Sequence, residues 1–432
     1  MGFHYLLNAH GLPHINFTST IGNERQLATP GERKIHKVLR LVPVTEDQIE
    51  TLHIWHNEAH KRGLIFWGEP GLLNQAVDVQ FPPEKFAAYR TRLNNLGFQP
   101  IVLFDNVQSE LDNQEAARVT RQQQTPTLNF FTDYRTAAEI FQWLDQTAAN
   151  CPAGATCTVT NIGTSWEGRE LKVFRISNGP NKRAIWIDSL IHAREWISGA
   201  TNLYFIDQLV NNYNNAANRA MVDAYDWVFM PIINIDGYQY TFDTDRMWRR
   251  TRSDRGDILG CVGCDANRNF DFQWMTIGAS DDPCSNTYAG VAPNSEPEVD
   301  AVRAYIMQNP SYYGAFITMH SYSQLFLLPY GYTVDFPQDY DEMMRVANLS
   351  TNALFNVHGT TYRFDSASVI LYPSSGTSRD WAKGVPQIKY VYTFELRDTG
   401  NYGFILPPEQ IIPSGQETWE AVKRIAQEIT FP

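Results

Sequence analysis

"IWIDSLIHAREWISG", residues 185–199, changes character in its middle. As far as Ile191 it is a run of apolar and β-branched residues, the composition of a strand buried on both faces. At His192 the run ends, and His192-Ala193-Arg194-Glu195 brings together an imidazole, a guanidinium and a carboxylate. In open α/β sheets, ligands bind just beyond the carboxyl ends of such strands. The stretch therefore predicts an architecture and a place for chemistry.

Similar runs occur at "DWVFMPIIN" (226–234), "GAFITMHS" (314–321) and "YVYTFEL" (390–396), separated by helical segments up to the C-terminus. Short apolar runs alternating with amphipathic ones predict an α/β sheet with helices on both faces. Upstream the pattern differs. "KVLRLVPV" (37–44) leads into a helical "TEDQIETLHIWHNEAHKRG", then "LIFWG", "AVDVQF", a helix opened by Pro82-Pro83-Glu84, and "PIVLF" (100–104). This β-α-β-β-α-β order is that of a small α+β open sandwich. Between the two parts, "SELDNQEAARVTRQQQTPT" (109–127) reads as a helical connector ending in an exposed, cleavable linker, with Arg118 and Arg121 ahead of a Gln-Thr-Pro run. The expected divisions are an extension at 1–35, the small module at 36–108, the connector at 109–126 and the large domain at 127–432.

With 43% hydrophobic and 13% aromatic residues among 432, the chain is globular and large enough for more than one domain. A net charge of −12 argues against a nucleic-acid partner, and no apolar run reaches the length of a membrane span. The opening "MGFHYLLNAH" is too short and polar for an ordinary signal peptide. Five cysteines are too few for a disulfide scaffold, and "CVGC" (261–264) reads better as one end of a disulfide to Cys284, from Cys261 or Cys264, than as a metal pair. Sequons at Asn16 and Asn348 are compatible with secretion.

From about residue 122 onward only His192, His320 and His358 remain as imidazoles. His192 and Glu195 form His-x-x-Glu at a strand end, and His320 closes another strand. Two histidines and a carboxylate are a catalytic zinc set with its fourth position open. "DRMWRRTRS" (245–253) concentrates Arg246, Arg249, Arg250 and Arg252, "CDANRNFD" (264–271) sets Asn267 beside Arg268, and "YTFELRDTG" (392–400) carries Glu395 near a strand end. Converging arginines beside a metal in an acidic protein point to an anionic substrate. A competing cluster, His53, His56 and His60 in "HIWHNEAH", falls on one helical face but lacks a convergent acid, and reads as an ordinary exposed face.

These motifs, "HAREW", "NIDGYQYT", "RMWRRTRS", "DANRNF", "MHSYSQ", "ILYPSSGTSRDW" and "TFELRDTG", stand in the order found in the zinc carboxypeptidase A/B family, which the chain resembles from about residue 36 to its end. The resemblance implies a secreted zymogen of the digestive type: an inhibitory pro-domain, a connector cut by a trypsin-like protease after Arg118 or Arg121, and a zinc exopeptidase that releases single C-terminal residues, with proteinaceous carboxypeptidase inhibitors as further partners. It implies that His192, Glu195 and His320 bind one zinc, with Asp265 orienting the first histidine. Glu395 would be the general base and Arg249 the oxyanion partner. Asn267, Arg268 and Tyr372 would clamp the terminal carboxylate, and Arg194 and Tyr322 would line the outer substrate path. Chemically these roles are coherent: a guanidinium grips a carboxylate with two hydrogen bonds, and fixed cations offset the charge developing on a carbonyl oxygen.

The sequence also departs from the family pattern. Arg379 stands where A-type members have an apolar residue and B-type members an acidic one, which implies a preference for C-terminal Glu. Ala367 replaces a bulkier aliphatic residue of the same pocket, Pro373 follows the clamp tyrosine, one residue is inserted between Trp381 and Lys389, and Cys151 and Cys157 are additional. The alternatives are A-type preference for aromatic and aliphatic residues, with Arg379 turned to Asp365 or to solvent; a non-catalytic protein that binds peptide C-termini; and a deacylase or amidase of the same fold.

Overall fold

The computed structural model describes residues 36–124 and 130–430. The extension at 1–35, its sequon at Asn16 and the Thr-Pro end of the connector lie outside them. In the N-terminal module β1 (Lys37–Leu41), α1 (Glu46–Asn57), α2 (Ala59–Arg62), β2 (Ile65–Phe66), β3 (Val77–Phe81), α3 (Phe86–Asn95) and β4 (Ile101–Phe104) follow one another. The strands pair antiparallel in the order β2-β3-β1-β4. One face, with Leu39, Leu41, Val79 and Phe81, packs on Leu52 and Trp55 of α1 and Leu93 of α3. Helix α1 begins where the Thr45 hydroxyl accepts from the Gln48 amide, as a capping threonine does.

The connector is α4 (Val107–Gln124), and it stays helical through both arginines. Arg118 forks onto Glu115 at 2.7 Å, while Arg121 donates to Asp133 at 3.0 and 3.2 Å. Asp133 is buried, so it gives Arg121 an anionic anchor on the large domain. The connector is thus helical through both arginines as far as Gln124, and Arg121 is tethered by its ion pair.

The large domain runs α5 (Ala137–Ala149), β5 (Thr156–Thr164), β6 (Glu170–Ser177), β7 (Ala184–Ser189), α6 (Trp196–Val210), α7 (Ala216–Ala224), β8 (Asp226–Met230), α8 (Ile235–Asp243), α9 (Pro297–Met307), β9 (Tyr313–Ser321), β10 (Leu325–Leu328), α10 (Tyr340–His358), β11 (Arg363–Ser366), α11 (Ala367–Ile370), α12 (Ser378–Gly384), β12 (Tyr390–Leu396) and α13 (Ile411–Glu428). Its eight strands are ordered β11-β10-β12-β9-β7-β8-β6-β5. The four central strands, β12, β9, β7 and β8, are mutually parallel and buried along their length, which explains why each reads as a continuous apolar run. Register sets Glu395 of β12 beside His320 of β9, so the parallel strands deliver both side chains to one end of the sheet.

Disulfides join Cys151 to Cys157 and Cys261 to Cys284, leaving Cys264 as a buried thiol. The histidine face of α1 and α2 departs from the exposed face expected for it. His53 is exposed, but His56 is half-buried edge-on to Phe66, and His60 Nε2 lies 3.6 Å from Asp282 of the large domain. The face is covered because the module docks on the larger domain, which the helical period alone does not reveal.

Glu298, in the first turn of α9, is fully buried, and only one of its carboxyl oxygens accepts a hydrogen bond, from the Trp166 amide at 3.3 Å. Burial, helped by Glu296 and Asp236, raises its pKa to about 8. An unfolded chain releases this proton near 4.5, so between there and about 8 the folded state binds the extra proton and stability falls as pH rises. The lost stability is of the order of 5 kcal/mol. Glu298→Gln should therefore match the wild type in thermal unfolding near pH 4.5 and exceed it increasingly up to pH 8; a pH-independent difference would show that Glu298 is not held neutral.

Candidate active site

β7 ends at Ser189, and Leu190 follows with φ 52°, a left-handed turn that costs a branched residue free energy and must be held by its surroundings. It brings His192 and Glu195 to the carboxyl end of the sheet, facing His320 at the end of β9. His192 Nδ1 lies 2.8 Å from Glu195 Oε1, His320 Nδ1 3.0 Å from Glu195 Oε2, and the two Nδ1 atoms 3.1 Å apart. Three donors of this chemistry, all buried, form a candidate metal site and fit a zinc ion. Burial alone would raise the Glu195 pKa, but the two imidazoles beside it bring it well below the ordinary carboxylate range. When bound, zinc acts as a Lewis acid on a carbonyl oxygen and acidifies water. Two other candidate groupings among the described residues include Cys284, whose sulfur is bonded to Cys261, so neither contains a free thiolate at that position.

The next groups are held just as firmly. Asp265 accepts from His192 Nε2 at 3.0 Å and from Arg249 Nη2 at 2.7 Å. Burial opposes its charge, yet Arg249, His192 and Arg268 hold its pKa well below the usual range. Burial and the Glu195 carboxylate push Glu395 the other way, well above an ordinary glutamate, a bias toward taking up a proton. Asn267 accepts the Ser378 amide at 2.9 Å, and its side-chain nitrogen lies 3.5 Å from His320 Nε2. Arg268 is buried and donates to the Gly278 and Asn267 carbonyls at 2.7 and 2.8 Å.

Some of these residues wall a cleft of about 400 Å³ to which the N-terminal module contributes the opposite side. Its lining includes His192, Glu195, Arg249, Tyr322, Tyr372 and Glu395. Between β2 and β3, Glu69 reaches down and accepts from Arg268 Nη2. Arg194 donates to the carbonyls of Phe66 and Trp67 at 3.3 and 3.2 Å and stacks over Phe404. The Tyr322 hydroxyl donates to Asp78 Oδ2 at 2.5 Å, and Arg40 forks onto the same carboxylate at 2.8 Å. Glu69 and Asp78 were not singled out in the sequence. The available signals were a lone acid in the turn "WGEPG" and a charged residue inside the strand "AVDVQF".

Arg379, on α12, is 5% exposed. Its Nε donates to Asp380 at 3.0 Å, and Nη2 is buried without a hydrogen-bond partner among the described residues. It does not turn to Asp365, which accepts from Tyr340 and from the Ser366 amide, nor to solvent. With the module in place Arg379 does not wall the cleft, but its charge is felt at Glu395. Ala367 is fully buried against Leu325 and Leu327.

A metal-type ligand set, an adjacent buried carboxylate and an arginine already holding a carboxylate define a class of metal-dependent hydrolase acting next to a free acid group. Residues 140–421 match the zinc carboxypeptidase family and residues 39–114 the carboxypeptidase activation peptide. The chain belongs to the zinc carboxypeptidases. Carboxypeptidase A2 of Rattus norvegicus is 39% identical over 395 residues, 91% of this chain and 93% of the relative. Carboxypeptidase B of Astacus astacus is 46% identical over 297 residues, 68% of this chain and 97% of the relative. The crystal structure of thrombin activatable fibrinolysis inhibitor has a TM-score of 0.82 at 33% identity, covering 92% of this chain and 99% of that one. That of carboxypeptidase A from Helicoverpa armigera has a TM-score of 0.82 at 27% identity, covering 91% and 97%. Relatives of both A and B type are similar, so similarity leaves the preferred C-terminal residue open.

Proposed function

We propose that the chain is the secreted precursor of a digestive exopeptidase in which His192, Glu195 and His320 hold zinc, Glu395 is the general base and Arg249 supports the oxyanion. Asn267, Arg268 and Tyr372 bind the substrate's terminal carboxylate, Arg194 and Tyr322 line the path outward, and Arg379 favours a C-terminal glutamate. The 36–108 module is inhibitory, 109–126 is the activation connector and 127–432 is the enzyme. The observation that carries this reading is the Glu69 carboxylate on Arg268, in a cleft shared with the metal-type ligands: a side-chain acid stands where a peptide's chain end would lie, and it blocks the site while it stays there. The two disulfides favour a secreted protein, and no helix among the described residues is long and apolar enough to cross a membrane. The partners are peptide C-termini, an activating trypsin-like protease and proteinaceous carboxypeptidase inhibitors.

The test is limited digestion with a trypsin-like protease followed by assay on a blocked dipeptide, with and without a zinc chelator. The intact chain should be nearly inactive, and activity should appear with new N-termini at Val119 or Gln122 and vanish with chelation. Cleavage without activity would sink the enzyme reading; a new terminus before residue 109 would move the domain boundary.

A further inference from the structure

Asn234 is fully buried at the start of α8, more than forty residues along the chain from the histidine turn. Its backbone N–H donates to the carbonyl of Leu190, the residue in the left-handed turn, at 3.0 Å. Its side-chain nitrogen faces three more carbonyls, those of Ile191, Arg249 and Arg250, at 3.3, 3.3 and 2.9 Å. Its side-chain oxygen accepts the Gly237 amide at 2.9 Å, which fixes the amide's orientation. The Arg249 carbonyl also accepts from Ala193, next to His192, at 3.0 Å. One side chain thus ties the turn that aims His192 to the segment that aims Arg249. Gly237 permits this approach, since a Cβ there would stand 2.5 Å from the Arg250 carbonyl oxygen and 2.6 Å from the Asn234 amide.

We infer that Asn234 is a positioning residue for the reaction, holding the Arg249 guanidinium in register with the His192–Glu195 turn. Among the described residues the Ala193 amide also donates to the Arg249 carbonyl and Trp248 Nε1 to the Arg250 carbonyl, at 2.6 Å. It is the Asn234 side chain, however, that joins these to the buried Ile191 carbonyl, which shifts once that donor is lost. Oxyanion stabilisation depends on donors placed for the charge that develops, so a small displacement of Arg249 acts on turnover more than on ground-state binding. The inference rests on the oxyanion role proposed for Arg249. Substituting Asn234 by the isosteric Asp would set a carboxylate oxygen against three carbonyl oxygens and should be at least as damaging as alanine.

The experiment is a double-mutant cycle on the activated enzyme, with kcat, KM and bound zinc measured for Asn234→Ala, Arg249→Ala and the pair. Arg249→Ala should lower kcat by about 100- to 1,000-fold. Asn234→Ala should lower kcat by about 30-fold or more with KM within about threefold and zinc at one per chain. In the Arg249→Ala background the Asn234 substitution should cost no more than about threefold further. A residue serving only stability would give independent losses that multiply. If Asn234→Ala fails to fold, Gly237→Ala presses on the Asn234 amide and the Arg250 carbonyl and enters the same cycle. Multiplicative losses, or an Asn234→Ala kcat within about threefold of wild type, overturn the inference and leave the Arg249 role standing. A near-wild-type Arg249→Ala overturns both, and does so in the single variant.

Discussion

Glu395→Gln should abolish turnover of the activated enzyme while leaving zinc bound. Strand register places Glu395 directly beside His320, and its carboxylate belongs to the cleft wall but not to the three-donor set. The substitution keeps shape and volume and removes one capacity, that of taking a proton from water as it attacks and returning it to the leaving amine. Positioned acid–base groups contribute about 100- to 10,000-fold, and the loss here should lie toward the upper end because no other carboxylate in the cleft wall of the large domain is outside the metal-type set. KM should change little, since the groups proposed to grip the chain end, Arg268 and Asn267, are untouched. His320→Ala supplies the contrast: it should lose activity and zinc together. A Glu395→Gln enzyme retaining more than about a tenth of wild-type kcat would assign the base elsewhere.

How much of this was legible in the sequence depends on how local each signal is. The four parallel central strands are buried on both faces, so each announces itself as an uninterrupted apolar run, and the polar residues that close those runs mark the site. The edge strands announce nothing comparable. β5 alternates between exposed and half-buried residues, and β11 is four residues with one exposed and two half-buried, so their place in the sheet comes from tertiary pairing alone. Likewise His192 and Glu195 are three apart and read as a motif, whereas Glu69 meets Arg268 across 199 residues and Asp78 meets Tyr322 across 244. No spacing rule connects such pairs. They exist because a small module docks on a larger one, and a lone acid in a turn looks the same whether it faces solvent or an arginine. Arg121 shows the same limit, since the buried Asp133 it pairs with lies beyond the end of its helix and no composition signal links the two.

Arg379 should make the activated enzyme prefer substrates ending in glutamate. Its guanidinium is buried, and the one carboxylate it meets among the described residues, Asp380, is already shared with the backbone amides of Gly331, at 3.1 and 2.8 Å, and Tyr332, at 3.2 Å. One guanidinium nitrogen has no acceptor among the described residues. A buried cation so poorly matched is costly, and a substrate carboxylate arriving within reach would relieve that cost through a charge-assisted hydrogen bond. Gly331 lets the guanidinium lie where it does, because a Cβ there would stand 2.3 Å from the unpartnered nitrogen. A site with an unmet polar group rejects apolar analogues far more strongly than an apolar pocket rejects a missing methylene. On kcat/KM, glutamate should exceed phenylalanine by about 100-fold or more, with aspartate between them because its shorter stem falls short of the guanidinium. Arg379→Asp should reverse the order and favour lysine. Arg379→Ile should remove the glutamate advantage and raise phenylalanine, since the pocket then carries no uncompensated charge. Phenylalanine preferred by the wild type, and unchanged in Arg379→Ile, would mean that the Asp380 contact already satisfies the arginine and that the pocket selects by shape.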